Sequence, residues 1–236
     1  MARVSAAGER SYGGESAPER VRRRRSRLID AALTAMAENR WRSATVAGIC
    51  AEAQLNKRYF YESFTDLDML ASAVIDDVAA EVGQAAVTAY LRSVELPLPE
   101  QARAAVDAVV GALGTDPRKA LVLLGGVADS PAAHGRRADA MKGLTAILVG
   151  HARSVHGVEL EEDSLASTAP AFVIGGTAQA ILSWVDGTAT IERSRLVEDI
   201  ASLWLALGES AAGIARTRLE AGTYRVGGGS GINPAP

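Results

Sequence analysis

The sequence predicts an all-α protein in which a small N-terminal three-helix domain precedes a larger helical domain. Three observations predict this fold. Hydrophobic residues make up 48% of the 236 residues and aromatic residues only 5%, and the large share of alanine favours helices. Apolar residues recur at helical spacing along most of the chain, whereas a sustained alternation of apolar and polar residues, typical of strands, is absent from the sequence.

Residues 1–19 are rich in Gly, Ser, Ala and Glu and are predicted to be a disordered extension. Three short helices are predicted next, at about residues 20–39, 46–53 and 57–64. Thr45 and Asn56 are good N-caps for the second and third of these helices. Gln54 and Leu55 are predicted to form the turn between them.

Residues 66–218 are predicted to form the larger domain, and residues 219–236 a flexible tail. Asp66, Asp116-Pro117 and Ser130-Pro131 are signals for helix starts. The predicted helices are at about residues 67–92, 97–113, 117–128, 131–156, 163–185 and 194–215. Ser164 to Val185 lacks charged residues but contains Ser, Thr, Gln, Gly and Pro. We therefore interpret it as a helix buried among other helices rather than as a membrane span.

Charge is distributed unevenly along the chain. Residues 1–65 hold 12 lysines and arginines against 7 acidic residues, whereas residues 66–236 hold 13 against 21. A basic N-terminal part followed by an acidic remainder fits a protein that contacts phosphate through its N-terminal part. Six of the arginines lie between Arg20 and Arg27. This run is a candidate arm for the DNA backbone or minor groove, with a solvated charge block as the alternative; its central residues are Arg22, Arg23, Arg24 and Arg25.

The cysteine and histidine residues of the sequence restrict the catalytic, redox and metal-binding chemistry that the protein is predicted to perform. Cys50 is the single cysteine, which fits a reducing cytoplasm and favours a small buried hydrophobe over a redox sensor. The N-terminus lacks the apolar segment of a secretory signal. His134, His151 and His156 lack metal-ligand spacing with cysteines or carboxylates, and the sequence holds no catalytic triad or phosphate loop. We therefore predict no metal, no cofactor and no catalytic residue.

Thr45 to Phe64 (TVAGICAEAQLNKRYFYESF) has the parts of a helix–turn–helix. In this motif one short helix braces against the DNA backbone while the next presents side chains to the major groove. Phe60 and Phe64 are predicted to lock the second helix against the core. Lysine and arginine can donate to guanine or phosphate, and tyrosine hydroxyls suit phosphate, although Tyr61 fits packing equally well. The exposed face is predicted to carry Lys57, Arg58, Tyr59, Tyr61 and Ser63.

The segment RLIDAALTAMAENRWRSATVAGICAEAQLNKRYFYESFTDLDML resembles the N-terminal DNA-binding domain of the TetR family of transcriptional regulators. The resemblance rests on Trp41, Thr45-Val46, Tyr61-x-x-Phe64 and the acid-capped helix that follows. It implies that DNA is contacted by Thr45, Asn56, Lys57, Arg58, Tyr59, Tyr61 and Ser63. Two positions depart from the family pattern: Gln54 replaces the usual turn glycine, and Leu67 replaces a lysine that meets phosphate.

The resemblance also implies the rest of the organisation. Residues 20–65 would be the helix–turn–helix domain with its basic arm, and residues 66–218 an effector-binding and dimerisation domain. Such a protein is expected to be a cytoplasmic homodimeric repressor, paired through its last two long helices and released from a palindromic operator by a small apolar ligand. Phe172 and Trp184 are candidate ligand contacts. The alternatives are an architectural DNA-binding protein without a ligand and a helical enzyme tethered to DNA.

Overall fold

The computed structural model describes residues 16–126, 130–156 and 162–221. Throughout these ranges the regular structure is helical, without strands, which confirms the predicted all-α class. The predicted disorder of residues 1–15 and of the tail from residue 222 lies outside the described residues. The helices are α1 (Ala17–Ala37), α2 (Val46–Glu52), α3 (Lys57–Tyr61), α4 (Leu67–Ser93), α5 (Leu98–Gly114), α6 (Pro117–Ala120), α7 (Pro131–His156), α8 (Leu165–Val185) and α9 (Arg193–Glu220).

Helix α1 begins earlier than predicted, at Ala17 rather than about Arg20. The Ser16 hydroxyl accepts a hydrogen bond from the Glu19 N–H, and Glu19 Oε2 accepts one from the Ser16 N–H at 2.6 Å. This reciprocal capping satisfies two N–H groups that a helix start otherwise leaves unpaired. Residues 16–19 are therefore ordered, and the arginine run lies on a helix rather than on an extended arm.

The three-helix domain is built around buried aromatic rings. Phe60 and Phe64 are fully buried with ring centroids 5.9 Å apart, and they pack in the same core as Leu28 and Ile49. Helix α3 ends at Tyr61, before the predicted end. Phe64 still reaches the core because its N–H donates to the Phe60 carbonyl at 2.8 Å in a closing turn. The two aromatic side chains thus fix α3 against α1.

The larger domain is assembled on α4. This helix packs against α1 at its start and against α5 and α7 along its length, while α5 and α8 both contact α9. Its inner face is buried from Leu70 to Val82. Helix α4 is therefore shared by the two parts of the protein.

The segment after Asp116 is not the single helix that was predicted to run to about residue 128. Only Pro117–Ala120 is α-helical, and the chain then widens into a π-helical turn at Leu121–Gly125. It ends at Gly126, whose φ of 84° favours glycine. The Arg137 guanidinium donates to the carbonyl groups of Leu123 and Leu124, and so it satisfies acceptors that a continuing helix would have used.

Helices α8 and α9 pack on each other but leave much of their surface exposed. Only Pro170, Val173 and Ile181 of α8 are buried, so the prediction of a helix buried among others is wrong for the single chain. By length and composition, α8 is the one helix of the described residues that could cross a membrane. Helix α9 continues to Glu220, beyond its predicted end.

Candidate nucleic-acid interface and ligand cavity

The two helices of the helix–turn–helix start where the sequence predicts. Thr45 Oγ1 accepts a hydrogen bond from the Gly48 N–H at 3.0 Å, and Asn56 Oδ1 accepts one from the Tyr59 N–H at 3.2 Å. Both side chains therefore act as N-caps. Their exposed position at the helix starts also leaves them on the surface of the domain.

The outward face of α3 carries Lys57, Arg58 and Tyr61, all of them exposed. Tyr61 is 61% exposed and makes an edge contact with Phe60, whose ring centroid lies 5.3 Å away. This exposure favours the surface role of Tyr61 over the packing role. Arg58 pairs with Glu62 at 3.1 Å, but an exposed pair of this kind contributes only about 0.3–0.5 kcal/mol. Arg58 can therefore exchange Glu62 for another anion.

Tyr59 and Ser63 are half-buried rather than exposed. The Arg24 guanidinium lies 4.3 Å from the centroid of the Tyr59 ring and 3.5 Å from the Glu62 carboxylate. Cation–π and ionic contacts of this kind hold α3 against α1. Of the five residues predicted on the exposed face of α3, Lys57, Arg58 and Tyr61 are therefore exposed. Tyr59 and Ser63 lie partly between α3 and its surroundings.

Among the four central arginines, Arg24 and Arg25 are half-buried. Arg25 lies over the Phe64 ring, 5.1 Å from its centroid, and 3.9 Å from the Asp77 carboxylate of α4. Arg24 and Arg25 thus contact the protein itself, which sequence reasoning missed because the acidic and aromatic partners lie far along the chain. Arg22 and Arg23 lie on the exposed side of α1.

Gln54 occupies the turn with a φ of 52°, the left-handed conformation expected where glycine is usual. Its side-chain oxygen accepts a hydrogen bond from Arg27 at 3.2 Å. Left-handed backbone costs a residue with a Cβ about 1–2 kcal/mol. The Arg27 contact ties the turn to α1 and compensates for only part of that cost, since both groups are exposed.

We predict that Gln54→Gly stabilises the protein by about 0.5–1 kcal/mol, because relief of the left-handed strain exceeds the entropy gained by the unfolded chain. Urea unfolding followed by circular dichroism measures the change. Gln54→Ala is the matched control, since it loses the same hydrogen bond and keeps the strain. Equal stabilities of the glycine and alanine variants would contradict the prediction.

At the start of α4, Leu67 stands at the position where the family has a lysine, so this position carries no positive charge. Leu67 is half-buried against the core. Asp66 caps the helix by accepting from the Met69 N–H at 2.7 Å, and this hydrogen bond lowers the pKa of Asp66. Asp68 accepts from the Ser130 hydroxyl at 3.0 Å. This end of α4 is therefore built for anchoring α7 rather than for contacting phosphate.

Cys50 lies inside the three-helix core. Burial raises the pKa of its thiol, while Lys57 opposes the shift. A raised pKa and a buried position disfavour the reactive thiolate. The expectation of a small structural hydrophobe fits this environment.

A cavity of about 160 Å³ lies between α4, α5, α7, α8 and α9. Its lining is mainly aliphatic, with a few hydrogen-bonding side chains. Phe172 and Trp184, the candidates from the sequence, lie outside it: Phe172 is 67% exposed, and the Trp184 indole donates to the Ile191 carbonyl at 3.1 Å. The lining residues are Val82, Ala86, Val87, Tyr90, Gln101, Ala102, Ala105, Val109, Leu113, Leu123, Leu124, Met141, Leu144, Ile147, His151, Ile174, Thr177, Ala178, Ile181 and Trp204.

The cavity is linked to the three-helix domain through α6. Leu123 and Leu124 line the cavity directly after this helix. Arg118 of α6 donates to Asp30 at 2.9 Å and to Thr34 on α1, and it also binds Asp116 at 2.7 Å. These hydrogen bonds raise the pKa of Arg118 and lower that of Asp116. A charged, multiply bonded arginine therefore joins the cavity wall to α1.

Comparisons with known proteins identify the fold. The chain is similar to a TetR-family regulator from Syntrophomonas wolfei (TM-score 0.66, 14% identity, covering 80% of this chain and 96% of that one). It is also similar to a transcriptional regulator from Pseudomonas aeruginosa (0.65, 23%, 86% and 96%) and to FadR from Bacillus subtilis, solved with stearoyl-CoA (0.61, 18%, 76% and 96%). No protein-family model and no curated protein sequence matches the chain. The fold is thus that of TetR-family transcriptional regulators, as the helix–turn–helix resemblance implied.

Proposed function

We propose that the protein is a TetR-type transcriptional repressor that binds a palindromic operator as a homodimer and is released by a small apolar ligand. The observation that carries the proposal is the construction of α3. Its N-terminus is capped by Asn56, its inner face is fixed by Phe60, and its outer face exposes Lys57, Arg58 and Tyr61. A short, rigidly backed helix with basic and hydroxyl side chains suits insertion into a major groove.

Dimerisation through α8 and α9 is supported by the surface of these helices. Phe172 on α8 and Leu203 and Ile214 on α9 are large, apolar and exposed. Leu203 and Ile214 lie about three helical turns apart, so they share one face of α9. In the described structure, a Cβ atom added at Gly175 or Gly176 would meet no atom within 4 Å apart from the adjoining residues and backbone of its own helix. The exposed surface of α8 and α9 is therefore apolar, and at Gly175 and Gly176 it is open to close approach by a second copy.

The cavity supports ligand control, and stearoyl-CoA bound to the FadR neighbour supports a ligand role for the same domain. A ligand can shift a two-state equilibrium only by binding one state better than the other. In the proposed mechanism, occupation of the cavity favours a position of α4 and α6 in which the two α3 helices of the dimer no longer match successive major grooves. The Arg118 contacts to α1 supply a second connection besides α4 itself.

The proposal is tested by selecting DNA with the purified protein from a random-sequence pool and measuring affinity for the selected site. Arg58→Ala and Lys57→Ala are each expected to raise the Kd about 5- to 100-fold, because each removes a groove or phosphate contact. Lys142→Ala is the charge-matched control, since Lys142 is exposed on α7 far along the chain. Unchanged affinity in both α3 variants would rule out α3 as the recognition element.

The same measurement distinguishes the alternative classes. Selection of a site with dyad symmetry favours the repressor, whereas strongly salt-dependent binding without sequence preference would identify an architectural DNA-binding protein. A helical enzyme tethered to DNA is disfavoured because the neighbours with this fold are transcriptional regulators. A repressor of this kind acts in the cytoplasm, where the chromosome of a bacterial cell lies.

A further inference from the structure

We propose that the ligand is a compact, uncharged molecule with one hydrogen-bonding group, oriented with that group away from the DNA-binding domain and its apolar part against the wall next to α6. This inference rests on the proposed function, because it specifies the chemical class of the effector. It follows from the composition, the polarity and the size of the cavity.

The apolar part of the cavity lies near α6. Val109 and Leu113 stand on the second half of α5, which leads directly to α6, and Leu123 and Leu124 follow that helix. Leu113 and Leu123 are completely buried. An aliphatic or aromatic group placed there would bury its surface against four branched side chains, which is the favourable term in binding an apolar ligand.

The hydrogen-bonding groups lie mainly at the opposite end of the bundle. Tyr90 is near the end of α4, Gln101 near the start of α5 and His151 near the end of α7. Tyr90 and His151 touch edge to face with ring centroids 5.5 Å apart. Gln101, which also lines the cavity, donates from Nε2 to the carbonyl groups of Val94 and Leu96, and its side-chain oxygen can act as an acceptor. One hydroxyl or amide group of a ligand fits this set.

The cavity is not equipped for a charged ligand. Among the lining residues that the structure describes, none is Asp, Glu, Lys or Arg. Arg137, which is close to the wall, uses its guanidinium to bind the Leu123 and Leu124 carbonyl groups. The Trp204 indole N–H is likewise bound, to Thr177 Oγ1 at 2.8 Å. A carboxylate or phosphate transferred from water into the described lining would lose much of its hydration with no lysine or arginine of that lining beside it, which opposes binding.

The size of the cavity restricts the ligand further. Its volume of about 160 Å³ is close to the roughly 150 Å³ of an engineered apolar cavity that binds benzene. A ligand with one ring, or with a chain of comparable volume, fills such a space. A nucleotide-bearing head group does not fit inside it.

The test compares three ligands that share one hydrocarbon chain: 1-octanol, octanoate and octanoyl-CoA. Binding to the full-length protein is measured by calorimetry at neutral pH, with tryptophan fluorescence of a protein in which Trp41 and Trp184 are replaced by Phe, so that Trp204 alone emits, as a second readout. We expect 1-octanol to bind at least tenfold more tightly than octanoate or octanoyl-CoA. Tighter binding of either anion, or no binding of 1-octanol at millimolar concentration, would overturn the inference.

Two variants locate the binding. Ala86→Phe fills the cavity from α4 and is expected to abolish 1-octanol binding, whereas Ala80→Phe, on the exposed side of the same helix, retains it. If Ala86→Phe does not fold, Tyr90→Phe, which keeps the ring against His151 and removes a hydroxyl of the polar end, is expected to weaken 1-octanol binding several-fold. Unaltered binding in the variant that folds would place the alcohol elsewhere and contradict the inference.

Operator affinity, measured without ligand, separates this inference from the proposed function. A protein that binds 1-octanol but selects no DNA site would refute the repressor and leave the ligand class standing. A protein that binds its operator but prefers an anionic ligand would refute only the ligand class.

Discussion

Phe60→Ala is expected to lower the free energy of unfolding by about 3–5 kcal/mol, the usual cost of removing a fully buried phenylalanine. Phe60 is completely buried and contacts both Phe64 and Tyr61. Since a domain is stable by only about 5–15 kcal/mol, the variant is expected to lose operator binding as well.

Urea unfolding followed by circular dichroism measures this effect. Tyr61→Ala is the control, because it truncates an exposed ring on the same helix and is expected to change stability by less than about 1 kcal/mol. A Phe60→Ala protein as stable as the Tyr61→Ala protein would show that α3 is not held by its aromatic contacts. Operator binding is expected to fall in both variants for different reasons. Tyr61→Ala removes a proposed phosphate contact, whereas Phe60→Ala destabilises the domain that carries α3.

Phe172→Asp is expected to convert the proposed dimer into a monomer at micromolar concentration. Phe172 is 67% exposed on α8, where a second copy would cover it. A carboxylate at an apolar interface is buried without a partner, and the loss of a large aromatic contact adds to the cost. Because a monomer engages only one half-site, operator affinity is expected to fall at least a hundredfold.

Sedimentation equilibrium of the wild type and the variant measures the oligomeric state. Leu91→Asp is the matched control, since Leu91 is similarly exposed, at 65%, but lies on α4. A Phe172→Asp protein that remains dimeric would place the interface elsewhere. A wild-type protein that is monomeric and associates with lipid vesicles would instead assign the apolar surface of α8 to a membrane.

The three-helix domain was largely predictable because its signals are local. Thr45 and Asn56 cap helices within three residues of themselves, and Phe60 and Phe64 lie one helical turn apart on the buried side of their helix. The departure at Gln54 was also predictable, since a turn that usually needs glycine imposes its left-handed backbone on whatever residue stands there.

The roles of the arginines could not be predicted from their run. Arg24 and Arg25 differ from Arg22 only in their direction on α1, and that direction matters because Tyr59, Glu62 and Asp77 approach from other helices. The irregular end of α6 escaped prediction for the same reason. Its π-helical turn depends on Arg137, which comes from a different helix to bind its carbonyl groups.

By itself, the sequence determined the helical class, the starts of α2 and α3 and the exposure of Lys57, Arg58 and Tyr61, because capping and periodicity act over a few neighbouring residues. The tertiary structure decided what lines the cavity. Five helices contribute to it, and Trp204 faces it while Trp184 does not. No local pattern distinguishes these two tryptophans, since the indole ring of either one could be buried in a helical core. Which helix stands opposite each ring is set by the packing of the whole domain.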